Sequence, residues 1–196
     1  MKTPVVLASS SPRRRELLGA LGWSFEAVVP SADETRLPGE TPEQLVQRLA
    51  AAKARSVAPC WPGCWIIGSD TVVVCDGEIF GKPHSDDEAA AMLSRLSGRW
   101  HEVCSGLALI SPRGEAQVGL DRTRVHVKPL AEADIAAYVA SGEPKGKAGG
   151  YAIQGRGSLM VDRIDGNYST VVGLPMALLA DFFVLQGGSL SKLWEV

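Results

Sequence analysis

Cysteine is scarce, four in 196 residues, and what there is suits neither a disulfide framework nor a zinc knuckle. Cys60 and Cys64 flank a Trp-Pro-Gly turn, Cys75 and Cys104 stand alone, and no histidine lies at a zinc-finger spacing; buried or loop thiols are expected. His84, His101 and His126 are scattered, in neither a nucleophilic nor a metal-ligand spacing. The GxxxxGK(S/T), GxSxG and HExxH patterns are absent, which removes a Walker A loop, a hydrolase elbow and a zincin. No apolar run approaches the roughly 18 residues of a membrane span. The first run, 5–8, is too short for a signal-peptide core and is followed by Arg13 to Arg15; the last, 177–185, is broken by Asp181. A cytoplasmic protein is expected. Charge of one sign is also missing: 20 Lys and Arg stand against 22 Asp and Glu, a formal net charge of −2. Nothing draws the whole molecule toward nucleic acid or a membrane surface, and no basic stripe is interleaved with aromatics. Any anion site must be local.

The hydrophobic fraction of 45% and charged fraction of 21% are ordinary for a globular chain. With no repeat, low-complexity tract or linker, a single domain over 1–196 is expected. A short buried strand at 5–8 leads into a helix capped by Ser11, with Pro12 in its first turn and Gly22 at its end. A strand at 25–29 and a helix at 41–57 follow. Segments 65–67 and 71–75 read as strands with Gly68-Ser69-Asp70 between them, and Asp76-Gly77 signals a hairpin. Ser85 and Glu88 form a capping box for a helix to 96. Long strands at 100–110 and 116–127, a helix at 132–141, an irregular 142–157, extended segments at 159–164 and 169–172, and a helix at 175–185 complete an α/β chain. The prominent hairpins predict a mixed sheet.

Four stretches can carry chemistry. "LASSSPRRRELL" (7–18) runs a strand into a helix N-terminus, where free N–H groups and the dipole favour an anion. Ser9, Ser10 and Ser11 add donors, and Arg13 and Arg14 add guanidinium forks that match phosphate. The plain alternative is a capped helix with exposed arginines. In "GSDTVVV" (68–74), Asp70 interrupts an apolar stretch, where a carboxylate is costly unless it faces a cleft, a cation or a metal; an Asp that only hydrogen-bonds a turn is the alternative. Pairing across Asp76-Gly77 sets residue 71 near 82 and brings Lys82 close to Asp70, as a salt bridge or as a phosphate ligand beside a base. Lys53 follows an alanine-rich helical turn and alone reads as a surface lysine. In "KAGGYAIQGRG" (147–157), glycines at 149, 150, 155 and 157 let backbone come close to a ligand, and the Gln154 amide can pair with a base edge. Glu34 reads as structural or solvated.

Taken in order, "LASSSPRRRELL", "KA" (53–54), "GSDTVVV…GEIFGKP" (68–83), "LSGRWHEV" (96–103), "AGGYAIQGRG" (148–157) and "VVGLP" (171–175) resemble the Maf family of nucleoside triphosphate pyrophosphatases over nearly the whole chain. The resemblance implies an elongated fold like that of inosine triphosphate pyrophosphatases, a mixed sheet flanked by helices with two lobes around a central cleft. It implies hydrolysis of a nucleoside triphosphate to the monophosphate and pyrophosphate with a divalent cation (Mg²⁺, Mn²⁺ or Co²⁺) held by Glu34 and Asp70. Asp70 would be the proton acceptor, with Lys53 and Lys82 beside it. Ser9, Arg13, Arg14, Glu34, Thr71 and Gln154 would bind substrate. Arg13, Thr71 and Gln154 look like the specificity set of the subgroup acting on dTTP and UTP, with CTP and modified pyrimidine nucleotides as further substrates of a house-cleaning activity. A 7-methyl-GTP subgroup tends to carry Trp, Gln and Glu there. Hydrolysis of non-standard purine triphosphates, or nucleotide-dependent regulation of septum formation, are the rival readings. The family often forms homodimers.

Overall fold

The computed structural model describes residues 4–194. Its strands are β1 (Val5–Ala8), β2 (Phe25–Val28), β3 (Trp65–Cys75), β4 (Glu78–Phe80), β5 (Trp100–Ile110), β6 (Ala116–Val127) and β7 (Val161–Asp165). They form one seven-stranded sheet in the order β2-β1-β3-β5-β6-β7, with β4 paired to β3. β1 runs parallel to β2 and β3, whereas β4 is antiparallel to β3 and β7 to β6. The sheet is therefore mixed, as the hairpins foretell. The helices are α1 (Pro12–Gly19), α2 (Pro42–Val57), α3 (Asp86–Leu96), α4 (Glu132–Ala140), α5 (Tyr168–Val172), α6 (Met176–Leu185) and α7 (Leu190–Trp194). Among the described residues no helix is long and apolar enough to cross a membrane.

The chain divides into two compact units. The first comprises the chain up to Asp70 with Ser105–Asp121 and the segment from Gly173; the second comprises Thr71–Cys104 and Arg122–Val172. In the first, period-two alternation buries both faces of the strands. Val5, Leu7, Ile67, Leu107 and Leu109 pack with Leu18, Leu179, Phe182 and Phe183 of α1 and α6. Val6, Ala8, Ile66, Ala108 and Ile110 pack with Ala50, Ala51, Ala54 and Val57 of α2. Helix α2 begins at a complete capping box, Thr41 with Gln44, and Pro42 in its first turn. It lies against bare backbone: a Cβ on Gly68 would stand 2.3 Å from the Ala50 carbonyl oxygen, and one on Gly106 2.1 Å from that of Val46. Glycine is required at both places.

In the second unit, Val73, Phe80, Leu93, Leu96, Val103, Val125, Tyr138 and Met160 share a core. The β3–β4 hairpin turns on Asp76 and Gly77 with φ 50° and 78°, the left-handed pair of a type I′ turn. Its register, Val73↔Phe80 and Cys75↔Glu78, is the one expected.

Some local expectations differ. Ser85 caps α3 by accepting from the Glu88 N–H, but the Glu88 carboxylate accepts from the His84 N–H at 2.7 Å, so the reciprocal half of the expected capping box does not form. β3 is continuous rather than broken at Gly68-Ser69-Asp70, because the buried Ser69 hydroxyl lies 2.8 Å from the Gly106 carbonyl and 2.9 Å from that of Gly173, which removes the cost of a polar residue mid-strand. Residues 169–172, expected to be extended, lie in α5. α7 was outside the expected elements. The irregular 142–157 holds short 3-10 turns, Ala148–Gly150 and the start of Gly155–Leu159.

Candidate active site

The opening basic stretch folds as strand, bend and capped helix. Ser11 caps α1 by accepting from the Arg14 N–H. Ser9, 4% exposed, accepts from the Ser11 N–H at 3.1 Å and faces Arg14 Nη1 at 3.5 Å. Arg14 is half-buried and its Nε donates to the Gly173 carbonyl at 2.6 Å. That carbonyl is shared with Ser69, so it ties α1 to β3. Burial lowers the pKa of the Arg14 guanidinium; Asp70 and Glu34 oppose the shift by attraction, and Arg13 adds repulsion. Arg15 turns away, donating to the Ser10 carbonyl at the surface. The three arginines are thus not equivalent.

Lys53 departs most from its reading in isolation. It is 5% exposed, because α2 lies so close on Gly68 that its last turns press into the sheet. Its Nζ sits 2.6 Å from Asp70 Oδ1 and 2.8 Å from Glu34 Oε1. A lone buried ammonium would be strongly unfavourable; two carboxylates offset the desolvation. Asp70 is itself 8% exposed, so it faces a cation, as its place in an apolar strand suggests. Glu34 is held by a loop without regular structure. Arg48 pins that loop through Nε to Glu40 Oε1 at 2.5 Å, Nη2 to Glu40 Oε2 at 2.8 Å and Nη2 to the Thr35 carbonyl at 3.0 Å. The Arg48 hydrogen bond draws the Glu40 pKa down to about 2, against the effect of burial. Sequence reasoning missed Glu40, Arg48, Ser69 and Gly173. Only "VVGLP" hinted at the last, and nothing local links Glu40 to an arginine eight residues on.

Ser9, Arg13, Arg14, Glu34, Lys53 and Asp70 thus fall in the first unit. Thr71, Lys82 and Gln154 fall in the second. There Thr71 and Gln154 are half-buried and Lys82 is exposed. Carried two steps beyond Val73↔Phe80, the hairpin register sets 71 opposite 82, although β4 itself ends at Phe80. The four glycines of the irregular segment meet protein atoms. A Cβ on Gly149 would lie 2.9 Å from Val73 Cγ2, and one on Gly157 2.1 Å from the Ala152 carbonyl oxygen. Among the described residues no three His, Cys, Asp or Glu side chains gather as metal ligands; the Glu34 and Asp70 carboxylates converge on Lys53 Nζ.

The family model described as Maf-like protein matches residues 4–184. This chain belongs to the Maf family. The match takes in every candidate site residue from Ser9 to Gln154. Among Maf relatives, the dTTP/UTP pyrophosphatase of Geotalea uraniireducens is 49% identical, covering 92% of this chain and 93% of its own length. That of Gloeobacter violaceus is 50% identical over 92% of this chain and 95% of its own. Of solved structures, the Staphylococcus aureus Ham1 protein overlaps this Maf protein loosely, with TM-score 0.48 at 16% identity, covering 89% of this chain and 83% of that one.

Proposed function

We propose that this Maf protein is a nucleoside triphosphate pyrophosphatase that hydrolyses dTTP and UTP to the monophosphate and pyrophosphate, with CTP and modified pyrimidine nucleotides as further substrates. Support comes from the curated relatives bearing that activity in their names. The observation that carries the chemistry is the buried Lys53 clasped by Asp70 and Glu34 beside the Ser9–Arg14 corner. A triphosphate brings about four negative charges, which several converging cations must meet. Arg13, Arg14 and Lys82 bind phosphate oxygens. Lys53 orients the Asp70 carboxylate and offers its one remaining N–H to phosphate. Asp70 accepts the proton of the water that attacks the α-phosphorus, and pyrophosphate leaves. No covalent intermediate on the protein is required.

Glu34 and Asp70 are hard oxygen donors, and a magnesium site built from one or two carboxylates plus substrate phosphates and water fits them. Such an ion, when bound, neutralises charge on the phosphates. Arg13, Thr71 and Gln154 select the base. The reading carries a cytoplasmic homodimer that binds no nucleic acid, checked by fractionation and by light scattering.

Asp70→Asn should lower kcat by about 10²–10⁴-fold, the usual worth of a general base, with KM for dTTP little altered. Near-full turnover would sink the mechanism. Pyrophosphate release from dTTP, UTP, CTP, GTP, 7-methyl-GTP and ITP should favour the first two. A preference for 7-methyl-GTP would retain the hydrolysis and discard the roles given to Arg13, Thr71 and Gln154.

A further inference from the structure

Gln154 occupies the position that precedes the 3-10 turn Gly155–Leu159, yet its side chain makes no capping hydrogen bond there. The leading N–H groups of such a turn need acceptors. Glu143 supplies them from eleven residues upstream: its Oε2 accepts from the Arg156 N–H at 3.0 Å and its Oε1 from the Gly157 N–H at 2.9 Å. On the other side of Gln154, the Ala152 N–H donates to the Tyr138 hydroxyl at 3.1 Å, and that hydroxyl donates to Glu143 Oε1 at 2.9 Å. The segment 152–157 is therefore fastened at both ends to one hydrogen-bonded pair, with Gln154 between the fastenings.

The pair is itself fixed. Tyr138 is 7% exposed and packs in the core of the second unit through α4. Burial acts to raise the Glu143 pKa, but the Gly157 and Arg156 N–H groups and the Tyr138 hydroxyl together bring it below the ordinary value. The carboxylate is thus charged at neutral pH and its hydrogen bonds are of the strong, charge-assisted kind. The fit also explains two glycines. A Cβ on Gly155, where φ is 64°, would stand 2.8 Å from Glu143 Oε2, and one on Gly157 2.9 Å from the Tyr138 hydroxyl. The sequence suggests that these glycines admit a ligand; they admit the clamp.

We propose that Glu143 and Tyr138 are positioning residues that set nucleotide selectivity by holding segment 152–157, and with it the Gln154 amide, in one conformation. The proposal rests on the nucleotide-hydrolysing reading above, and neither residue is given contact with the substrate. Because the clamp relieves Gln154 of capping the turn, the Gln154 amide is left to read a base edge.

The test uses the full-length enzyme and three variants: Glu143→Gln, Tyr138→Phe and Gln154→Ala. The first two keep side-chain volume, so the core of the second unit should survive. Amide hydrogen exchange at 152–157 is followed against that of β1 as an internal reference. The ratio of kcat/KM for dTTP to that for GTP is measured alongside. Loss of one charge-assisted hydrogen bond corresponds to roughly a tenfold change in an equilibrium. Glu143→Gln should therefore speed exchange at 156 and 157 about tenfold and lower the dTTP:GTP ratio by a similar factor, acting through KM more than kcat. Tyr138→Phe should do the same at 152. Adding Gln154→Ala to either should then lower the ratio little further. Faster exchange with an unchanged ratio, or unchanged exchange, overturns the proposal. If the clamp variants lose selectivity while Gln154→Ala alone keeps it, the clamp stands and another group on the segment reads the base. If the wild-type enzyme favours GTP over dTTP, the substrate reading falls; the clamp is then upheld if its variants weaken that preference and overturned if they do not.

Discussion

A buried imidazole with no charge partner makes stability depend on pH. His101 is such a group. It is 3% exposed, its Nε2 meets the Tyr151 hydroxyl at 2.7 Å, and its Nδ1 is buried with no hydrogen-bond partner. Burial, with a smaller repulsion from His126, pushes its pKa down from 6.5 to about 4. The unfolded chain therefore binds a proton between about pH 6.5 and pH 4 that the folded chain refuses. Stability is complete above the upper value and falls as the pH drops through this window. From the two pKa values, His101 should remove about 2 kcal/mol of stability between pH 7.5 and pH 5. Urea unfolding of wild type and His101→Leu at both pH values checks it. The variant escapes the penalty, so its stability relative to wild type should improve by that amount at the lower pH. A difference that does not move with pH would show that the imidazole titrates normally.

Helix α2 is where element packing governs the site. Ala50 and Ala54 leave the helix narrow enough, and Gly68 leaves β3 bare enough, for backbone to meet backbone, and Lys53 follows from that approach. Gly68→Ala would put a Cβ 2.3 Å from the Ala50 carbonyl oxygen and 2.8 Å from the Ala54 nitrogen. Neither neighbour is the end of a flexible side chain, so the helix must shift, at a cost of about 1–3 kcal/mol or more. Thermal unfolding should show a lower Tm, and kcat/KM for dTTP should fall more than tenfold as Lys53 leaves Asp70, since displacements near 1 Å can cost about a hundredfold. Gly19→Ala, whose Cβ would find nothing nearer than 4.0 Å, should change neither. Equal behaviour of the two variants would refute the link between helix approach and catalysis. What the sequence discloses about such elements follows the range of the forces. The Ser11 and Ser85 caps and the Asp76-Gly77 turn are local signals, and each was legible. The continuity of β3 depends on carbonyls of Gly106 and Gly173, far along the chain from Ser69. Helix α5 carries β-branched residues that favour strands, and it forms beside a tertiary lock in which the Asn167 N–H donates to Thr123 Oγ1 at 2.8 Å. The same holds for the site: its charged residues stand out in their motifs, while Glu40, Arg48, Glu143 and Tyr138 act across gaps that no motif spans.

At the scale of the whole molecule, a formal net charge of −2 offers a polyanion no attraction at long range. Capture of a triphosphate must then come from local cations, Arg13, Arg14 and Lys53 among them. Arg13 and Arg14 are partly open to solvent and Lys53 is nearly closed off, so salt should act unevenly on them. Mobile ions screen exposed charges over about 10 Å at 0.1 M and about 3 Å at 1 M, and reach buried pairs much less. KM for dTTP should therefore rise several-fold between about 0.05 M and about 0.5 M NaCl, through the exposed phosphate-binding cations, the two arginines among them. Over the same range kcat should hold within about twofold, because Lys53 and Asp70 remain paired away from solvent. Arg13→Ala should start from a higher KM and climb less steeply. Steady-state kinetics at four salt concentrations, with free magnesium held constant, separate the terms. A salt-independent KM in the wild type would mean that the basic corner plays no part in drawing the nucleotide in, and a kcat that fell with salt would mean that the Lys53–Asp70 pair is reached by solvent during turnover.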